Sequence, residues 1–577
     1  MLPGLLFVVT ASCTTDDVVP HRAGPDSGTP NGDSGVDGSA PDAGAGGDSG
    51  ATTPDAGPAI PVTTKSGVVI GKKDGATSAF LAIPYAAPPT GSNRWRAPQP
   101  VTPWTAPRDA TQPSKVCPQI QAGGSTIDTR SDEDCLTVNV WTPSADPSAK
   151  LPVMFWIHGG AFVFGSGAEA YYDGSKIATA GDVVVVTINY RLGALGYLAL
   201  PELTAESKDH PTSGNYGIED QQFALQWVKD NIAAFGGDPA AVTIFGESAG
   251  GFSTCAHLIA PGSKGLFVRA ISESGLCDGL ISRTLASVYP EGDLLAKTLG
   301  CTDASTVLTC LRGKTSDALV NAFPAGTAPG GIFYQGAEAG DGGTDAGADG
   351  GAAVGTSWMP VVDGDIIPVP VAEVGPSFQK VPLLLGTNRN EYALFTSPVL
   401  GGAPVTSDAE YKGALDGTFG AARGAKIYAE YPTSAFASAD DALVEATTDG
   451  AFACPARRLA RAASTAGADV YLYAFAHVPE KPLLPGLGSF HSSEMSYVFG
   501  FDDPLQATQA DEQPLVTAMQ GYWTRFAKTG DPNGAGAPTW PKYDAATDAD
   551  LSLNLPAPTS ETGHRKATCD FWDALAE

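Results

Sequence analysis

AVTIFGESAGGFSTCAHLIA (Ala241–Ala260) is the stretch on which the reading of this chain turns. Its first five residues are apolar with β-branched side chains, the pattern of a buried strand. GESAGG (Gly246–Gly251) then matches GxSxG with Ser248 at its centre. The residues after it have the character of a helix. A strand, a tight turn and a helix are the setting in which a serine hydroxyl is held clear of a sheet as a nucleophile. Gly246 and Gly250 permit the sharp turn, because a Cβ there would obstruct it. An ordinary glycine-rich turn is the alternative, and it loses ground to the motifs below.

Outward from this stretch, the chain alternates two patterns. LPVMFWI (Leu151–Ile157), DVVVVTINY (Asp182–Tyr190), VRAISES (Val268–Ser274), VPLLLGT (Val381–Thr387) and DVYLYAFA (Asp469–Ala476) are short, nearly continuous apolar runs. Parallel strands covered on both faces read this way. Between them lie amphipathic stretches such as IEDQQFALQWVKDNIAAF (Ile218–Phe235), with apolar residues at helical spacing. The pattern predicts an α/β fold with a central, mainly parallel sheet flanked by helices.

The ends and insertions have a different composition. Residues 16–58 are almost entirely Asp, Gly, Ser, Pro, Ala and Thr, too polar to bury a core. We therefore read residues 13–60 as an acidic tether and residues 61–577 as the folded domain. MLPGLLFVVTASC, ending at Cys13, resembles a bacterial lipoprotein signal, with residues 1–12 removed and Cys13 lipidated. It departs from that pattern in lacking a basic start and in carrying Thr10 where leucine is usual. A secretory signal without lipid is the alternative. The run is too short to span a bilayer. A second low-complexity segment, Gly336–Ser357, interrupts the domain as a surface loop.

Charge excludes some partners. The net charge is −29, and Asp16 to Asp55 holds eight acids and one base, leaving about −22 on the body. That balance argues against nucleic acid and against anionic lipid headgroups. Membrane contact is expected only through the lipid anchor. Nine cysteines suit an oxidising compartment if they pair. No CxxC occurs and the seven histidines do not cluster with cysteines, so no metal site is expected. No cofactor is expected either.

A nucleophilic serine needs a base, an orienting acid and donors for an oxyanion. WIHGGAF (Trp156–Phe162) ends a strand in a glycine-rich turn. The N–H groups of Gly160 and Ala161 are candidate donors there, and Ala249 follows the nucleophile to supply a third.

SDEDCLTVNVWTP (Ser131–Pro143) and GNYGIEDQQFALQWVKDNIAAFGGDPAAVTIFGESAGG (Gly214–Gly251) closely resemble signatures of the type B carboxylesterase family, which includes cholinesterases and fungal lipases. The resemblance runs from about Pro61 to the C-terminus and implies an α/β-hydrolase fold. It also implies the other triad members. GTNRNEYALF (Gly386–Phe395) resembles the segment carrying the family's acid and gives Glu391, although Tyr392 stands where the family has glycine. HSSEMSYVFG (His491–Gly500) gives the base, His491, in preference to His477 at a strand end. Glu247 matches a glutamate common beside the nucleophile, with either an electrostatic or a turn-stabilising role. The family's disulfides imply pairs Cys117–Cys135, Cys301–Cys310 and Cys454–Cys569. Cys255 and Cys277 have no counterpart there, and a fourth bridge between them is conceivable.

The implied activity is that of a serine carboxylesterase acting on a small-molecule ester through a Ser-His-Glu triad and an acyl-enzyme. A lipase or amidase of the same fold is one alternative. An adhesion-type relative is another, but such relatives have lost the serine. Two departures bear on substrate. The loop CPQIQAGGSTIDTRSDEDC (Cys117–Cys135) holds no aromatic residue, whereas cholinesterases place a tryptophan there against choline. Val354, Gly355 and Thr356 precede WMPVVDG (Trp358–Gly364) where cholinesterases narrow the acyl pocket with phenylalanines, which implies a wider pocket.

Overall fold

Thirteen strands among the described residues form one sheet in the computed structural model. The structure describes residues 59–576 except 123, 207, 276, 278–282, 323–357, 371–374, 376, 401, 502–504, 506–507 and 509. The strands in chain order are β1 (Ile60–Thr64), β2 (Gly67–Asp74), β3 (Thr77–Pro84), β4 (Arg108–Asp109), β5 (Thr137–Thr142), β6 (Leu151–Ile157) and β7 (Val184–Ile188). They continue with β8 (Gly237–Glu247), β9 (Arg269–Glu273), β10 (Leu383–Asn388), β11 (Val470–Phe475), β12 (Ala549–Leu553) and β13 (Thr559–Thr562). Their spatial order is β1-β2-β3-β5-β7-β6-β8-β9-β10-β11-β12-β13, with β4 pairing β2.

The run from β7 through β12 is parallel throughout. Antiparallel strands flank it on both sides. The expected central parallel sheet is therefore present, extended at each edge by hairpin-like pairing.

The apolar runs are continuous because each central strand has two covered faces. Along β6, Val153, Phe155 and Ile157 enter one core cluster while Met154 and Trp156 enter the other. This is the period-two alternation of a pleated strand. Helices Tyr216–Asn231, Ala249–Ile259 and Cys454–Thr465 contribute to the first core. Helices Ser175–Gly181, Met495–Phe499 and Gln513–Thr529 contribute to the second.

The predicted elements shift at their ends. The run at Asp182–Tyr190 pairs only over Val184–Ile188, and the strand before Ser248 starts earlier, at Gly237. Ile218–Phe235 becomes an α-helix from Tyr216 to Asn231 followed by a 3₁₀ turn, Ile232–Phe235. Gly236 then closes that turn at φ 83°, a left-handed value that favours glycine.

Four disulfides are present among the described residues: Cys117–Cys135, Cys255–Cys277, Cys301–Cys310 and Cys454–Cys569. The fourth bridge, left open by the sequence, does form. Cys13 and the tether up to residue 58 lie outside the described residues, as do Gly336–Ser357 and the acyl-pocket positions Val354, Gly355 and Thr356.

Candidate active site

The parallel strands end together at one edge of the sheet, and every candidate side chain sits there. Ligands in open α/β sheets bind at this carboxyl edge, because the loops that carry functional groups leave from it. Glu247 is the last residue of β8, and helix Ala249–Ile259 begins one residue beyond Ser248. Ser248 occupies φ 55°, ψ −118°, a strained conformation for a side chain with a Cβ. Close packing holds it there. A Cβ on Gly246 would lie 2.5 Å from the Gly250 carbonyl carbon, and one on Gly250 would collide with Ile157 O. The Ser248 N–H donates to Glu273 O at 2.9 Å, tying the turn to β9.

The oxyanion candidates lie across from it. Gly160, Ala161 and Phe162 have successive φ values of 101°, 51° and 63°. This left-handed run turns the chain after β6, and the Gly160 carbonyl accepts from Val163 and Phe164 N–H. The N–H groups of Gly160 and Ala161 have no hydrogen-bond partner among the described residues. Ala249 opens its helix, where first-turn N–H groups are intrinsically unpaired. The base of the loop is rigid. His158 stacks on Tyr190 at 4.4 Å, and the Tyr190 hydroxyl donates to His158 O at 2.8 Å. Burial pushes the His158 imidazole down to about 4, so it is neutral at pH 7.

Glu391 and His491 are a hundred residues apart in sequence and adjacent in space. A parallel bridge pairs Asn390 with Phe490, and each catalytic candidate follows its bridging residue. His491 Nδ1 then lies 2.6 Å from Glu391 Oε2. The other carboxylate oxygen accepts from Ser274 Oγ at 2.6 Å and from the Asn388 N–H at 2.7 Å. Glu391 is fully buried and its oxygens are directed by three donors.

The Ser248–His491 contact is not made in this structure. His491 Nε2 has no hydrogen-bond partner among the described residues and lies 3.2 Å from Glu247 Oε1. Glu247 thus reaches the imidazole on the side opposite Glu391. Of the two roles open for it, this contact favours the electrostatic one. The imidazole sits between two carboxylates, with Phe395 and Phe452 rings 5.0 and 5.3 Å from it.

His477 is elsewhere engaged. Its ring nitrogens lie 2.8 Å from Glu512 Oε1 and 3.1 Å from Asn554 Oδ1.

Four polar residues that the sequence reading did not single out complete the site. Ser274, at φ 50°, supports Glu391. Asn388 donates its amide to Phe490 O at 2.7 Å and to Glu494 Oε2 at 2.5 Å. Burial, together with Glu247 and Glu391, pushes Glu494 up to about 8. Burial also raises Glu273 well above the usual carboxylate range, aided by Glu494, while Trp523 Nε1 donates to it at 3.1 Å. An acid inside an apolar run, as in VRAISES, was the one available signal for Glu273.

Comparison with known proteins places this chain in a family. The carboxylesterase family model matches residues 58–572. Para-nitrobenzyl esterase of Bacillus subtilis (strain 168) is 37% identical over 515 residues, covering 85% of this chain and 94% of that protein. Carboxylesterase 1D of Rattus norvegicus is 34% identical over 539 residues, covering 84% and 87%. A solved PNB esterase superposes with a TM-score of 0.74 at 35% identity, covering 89% of this chain and 99% of that one. A thermophilic PNB esterase gives 0.72 at 33%, with the same coverage. By sequence, α/β-hydrolase architecture and the extent of both matches, this chain belongs to the carboxylesterase family.

Proposed function

We propose that this carboxylic ester hydrolase works through Ser248, His491 and Glu391 and a covalent acyl-enzyme. The observation that carries the reading is the 2.6 Å Glu391–His491 pair at the sheet edge that holds the strained Ser248. Ser248 Oγ attacks the ester carbonyl carbon and its proton passes to His491 Nε2. The tetrahedral oxyanion is held by the N–H groups of Gly160, Ala161 and Ala249. Collapse breaks the bond to the alkoxy oxygen, which leaves as alcohol with the proton from Nε2. Water then attacks the acyl-serine through the same base, releasing the acid and restoring Ser248. Glu391 fixes the imidazole through Nδ1 and stabilises the imidazolium. The Ser248–Nε2 hydrogen bond forms with substrate, since catalytic contacts often tighten only in the complex.

The preferred ester lacks choline, because the Cys117–Cys135 loop offers no ring to a quaternary ammonium. Export and a lipid anchor at Cys13 belong to the same proposal. The four bridges and the signal-like N-terminus support it.

The test is Ser248→Ala, assayed on p-nitrophenyl esters and with a fluorophosphonate probe. Turnover and labelling should both vanish while the circular dichroism spectrum is unchanged. Substantial turnover in the variant would overturn the assignment.

A further inference from the structure

The Cys255–Cys277 bridge does not clip a surface loop, as its position shows. Both cysteines are buried, at 0% and 1% exposure. Cys255 lies in helix Ala249–Ile259, which starts directly after the nucleophile. Cys277 lies four residues beyond the end of β9. The segment Glu273–Gly275, at the end of β9 and just after it, serves both halves of the site. Its Glu273 carbonyl accepts the Ser248 N–H at 2.9 Å. Its Ser274 donates from Oγ to Glu391 at 2.6 Å, and from its N–H to Gly386 O at 2.9 Å.

The helix and this segment are in backbone contact. A Cβ on Gly251 would lie 2.6 Å from Glu273 O and 2.9 Å from Gly275 Cα. Ser272 Oγ donates to Gly251 O at 3.0 Å and lies 3.5 Å from Cys255 Sγ and 3.3 Å from Cys277 Sγ. Gly251 and Cys255 are four residues apart, so they share one helical face. That face carries the contact at its first turn and the covalent link at its second.

We propose that the Cys255–Cys277 disulfide is a positioning crosslink for catalysis, which clamps the nucleophile helix to the segment that orients both Ser248 and Glu391. The inference rests on the triad reading above. The other three bridges join elements outside this segment: Cys301–Cys310, for example, spans nine residues among peripheral helices. Without the clamp, the Gly251–Gly275 contact can open and carry the Glu273 carbonyl and Ser274 with it. A shift of about 1 Å at such supports costs on the order of 10²-fold in rate. Substrate binding outside the reacting atoms is not touched, so kcat takes the loss.

The experiment compares Cys255→Ala/Cys277→Ala with Cys301→Ala/Cys310→Ala, well below the melting temperature of each. The readouts are kcat and KM on p-nitrophenyl butanoate and the rate of fluorophosphonate labelling. In the first variant, kcat and the labelling rate should fall about tenfold or more, with KM within about twofold of wild type. In the second, the melting temperature should fall while kcat holds. If the first variant does not accumulate folded, Ser272→Ala replaces it, with an expected loss of at least about threefold in kcat. An unchanged kcat, or an equal loss in the Cys301→Ala/Cys310→Ala control, overturns the clamp. Ser248→Ala run alongside separates the two readings. Turnover in that variant overturns the triad and the clamp together. A dead Ser248→Ala beside a fully active double variant overturns the clamp alone.

Discussion

Glu494→Gln should make this protein more stable at alkaline pH and leave it nearly unchanged at acid pH. Glu494 is fully buried, and Glu247 and Glu391 share its surroundings. Burial first, then those two carboxylates, raise it from an ordinary 4.5 to about 8. The folded protein therefore keeps this proton up to about pH 8, while the unfolded chain releases it near 4.5. Stability from this group is fully present below 4.5, is lost as pH rises to about 8, and is constant above that. At about 1.4 kcal/mol for each tenfold change in proton concentration, the span is on the order of 5 kcal/mol. Glutamine reproduces the protonated acid. Its oxygen can still accept from Asn388 Nδ2, as Oε2 does at 2.5 Å. Asp550, raised by burial to about 7, adds a slope of the same sign in both proteins and cancels from the difference. Thermal unfolding followed by circular dichroism from pH 5 to 9, at fixed ionic strength and scan rate, measures it. The two melting curves should coincide near pH 5. By pH 9 the variant should melt about 5 °C or more above wild type, scaling several kcal/mol to a chain of this size. Parallel curves across the whole range would refute the assignment of a proton to Glu494.

Ser274→Ala removes one of three donors to Glu391 and should lower kcat on the order of tenfold with little change in KM, since a hydrogen bond to a charged group is worth about 1.5–3 kcal/mol. A kcat within twofold of wild type would show that Asn388 and His491 suffice. His477→Ala should keep kcat, because its ring engages Glu512 and Asn554, whereas His491→Ala should fall to the level of Ser248→Ala. Cys454→Ala/Cys569→Ala opens a bridge of sequence separation 115 and should cost about 4–5 kcal/mol on the chain-entropy argument, read as a lowered urea midpoint in equilibrium unfolding. On p-nitrophenyl esters, kcat/KM should rise from acetyl to butanoyl, each methylene adding about 1–3 kcal/mol of pocket contact, and acetylcholine should be a poor substrate. A clear acetyl preference would place an aromatic wall where Val354 and Thr356 are expected.

The sequence alone determined whatever depends on neighbours within a turn or a strand. The elbow at Ser248 was legible because a strand, two glycines and a helix follow one another in AVTIFGESAGGFSTCAHLIA. The central sheet was legible because strands buried on both faces must be apolar throughout. Glu391 and His491 were named from segments like those of a known family. Their meeting at 2.6 Å belongs to the tertiary structure, which brings Asn390 and Phe490 side by side across a hundred residues. The same holds for Ser274, Asn388 and Glu494. A serine or an amide at a strand end carries no local mark of its partner, and the side-chain partners of Ser274 and Asn388 come from segments a hundred residues or more away. The pairing of Cys255 with Cys277 was open for the same reason. Spacing permits many bridges, and only the packing of Gly251 against Gly275 brings these two sulfurs together. Whether His491 faces Ser248 or Glu247 was likewise beyond any motif, because a ring's direction is set by the charges around it, and here these arrive from two distant segments, Glu247 at the end of β8 and Glu391 just after β10.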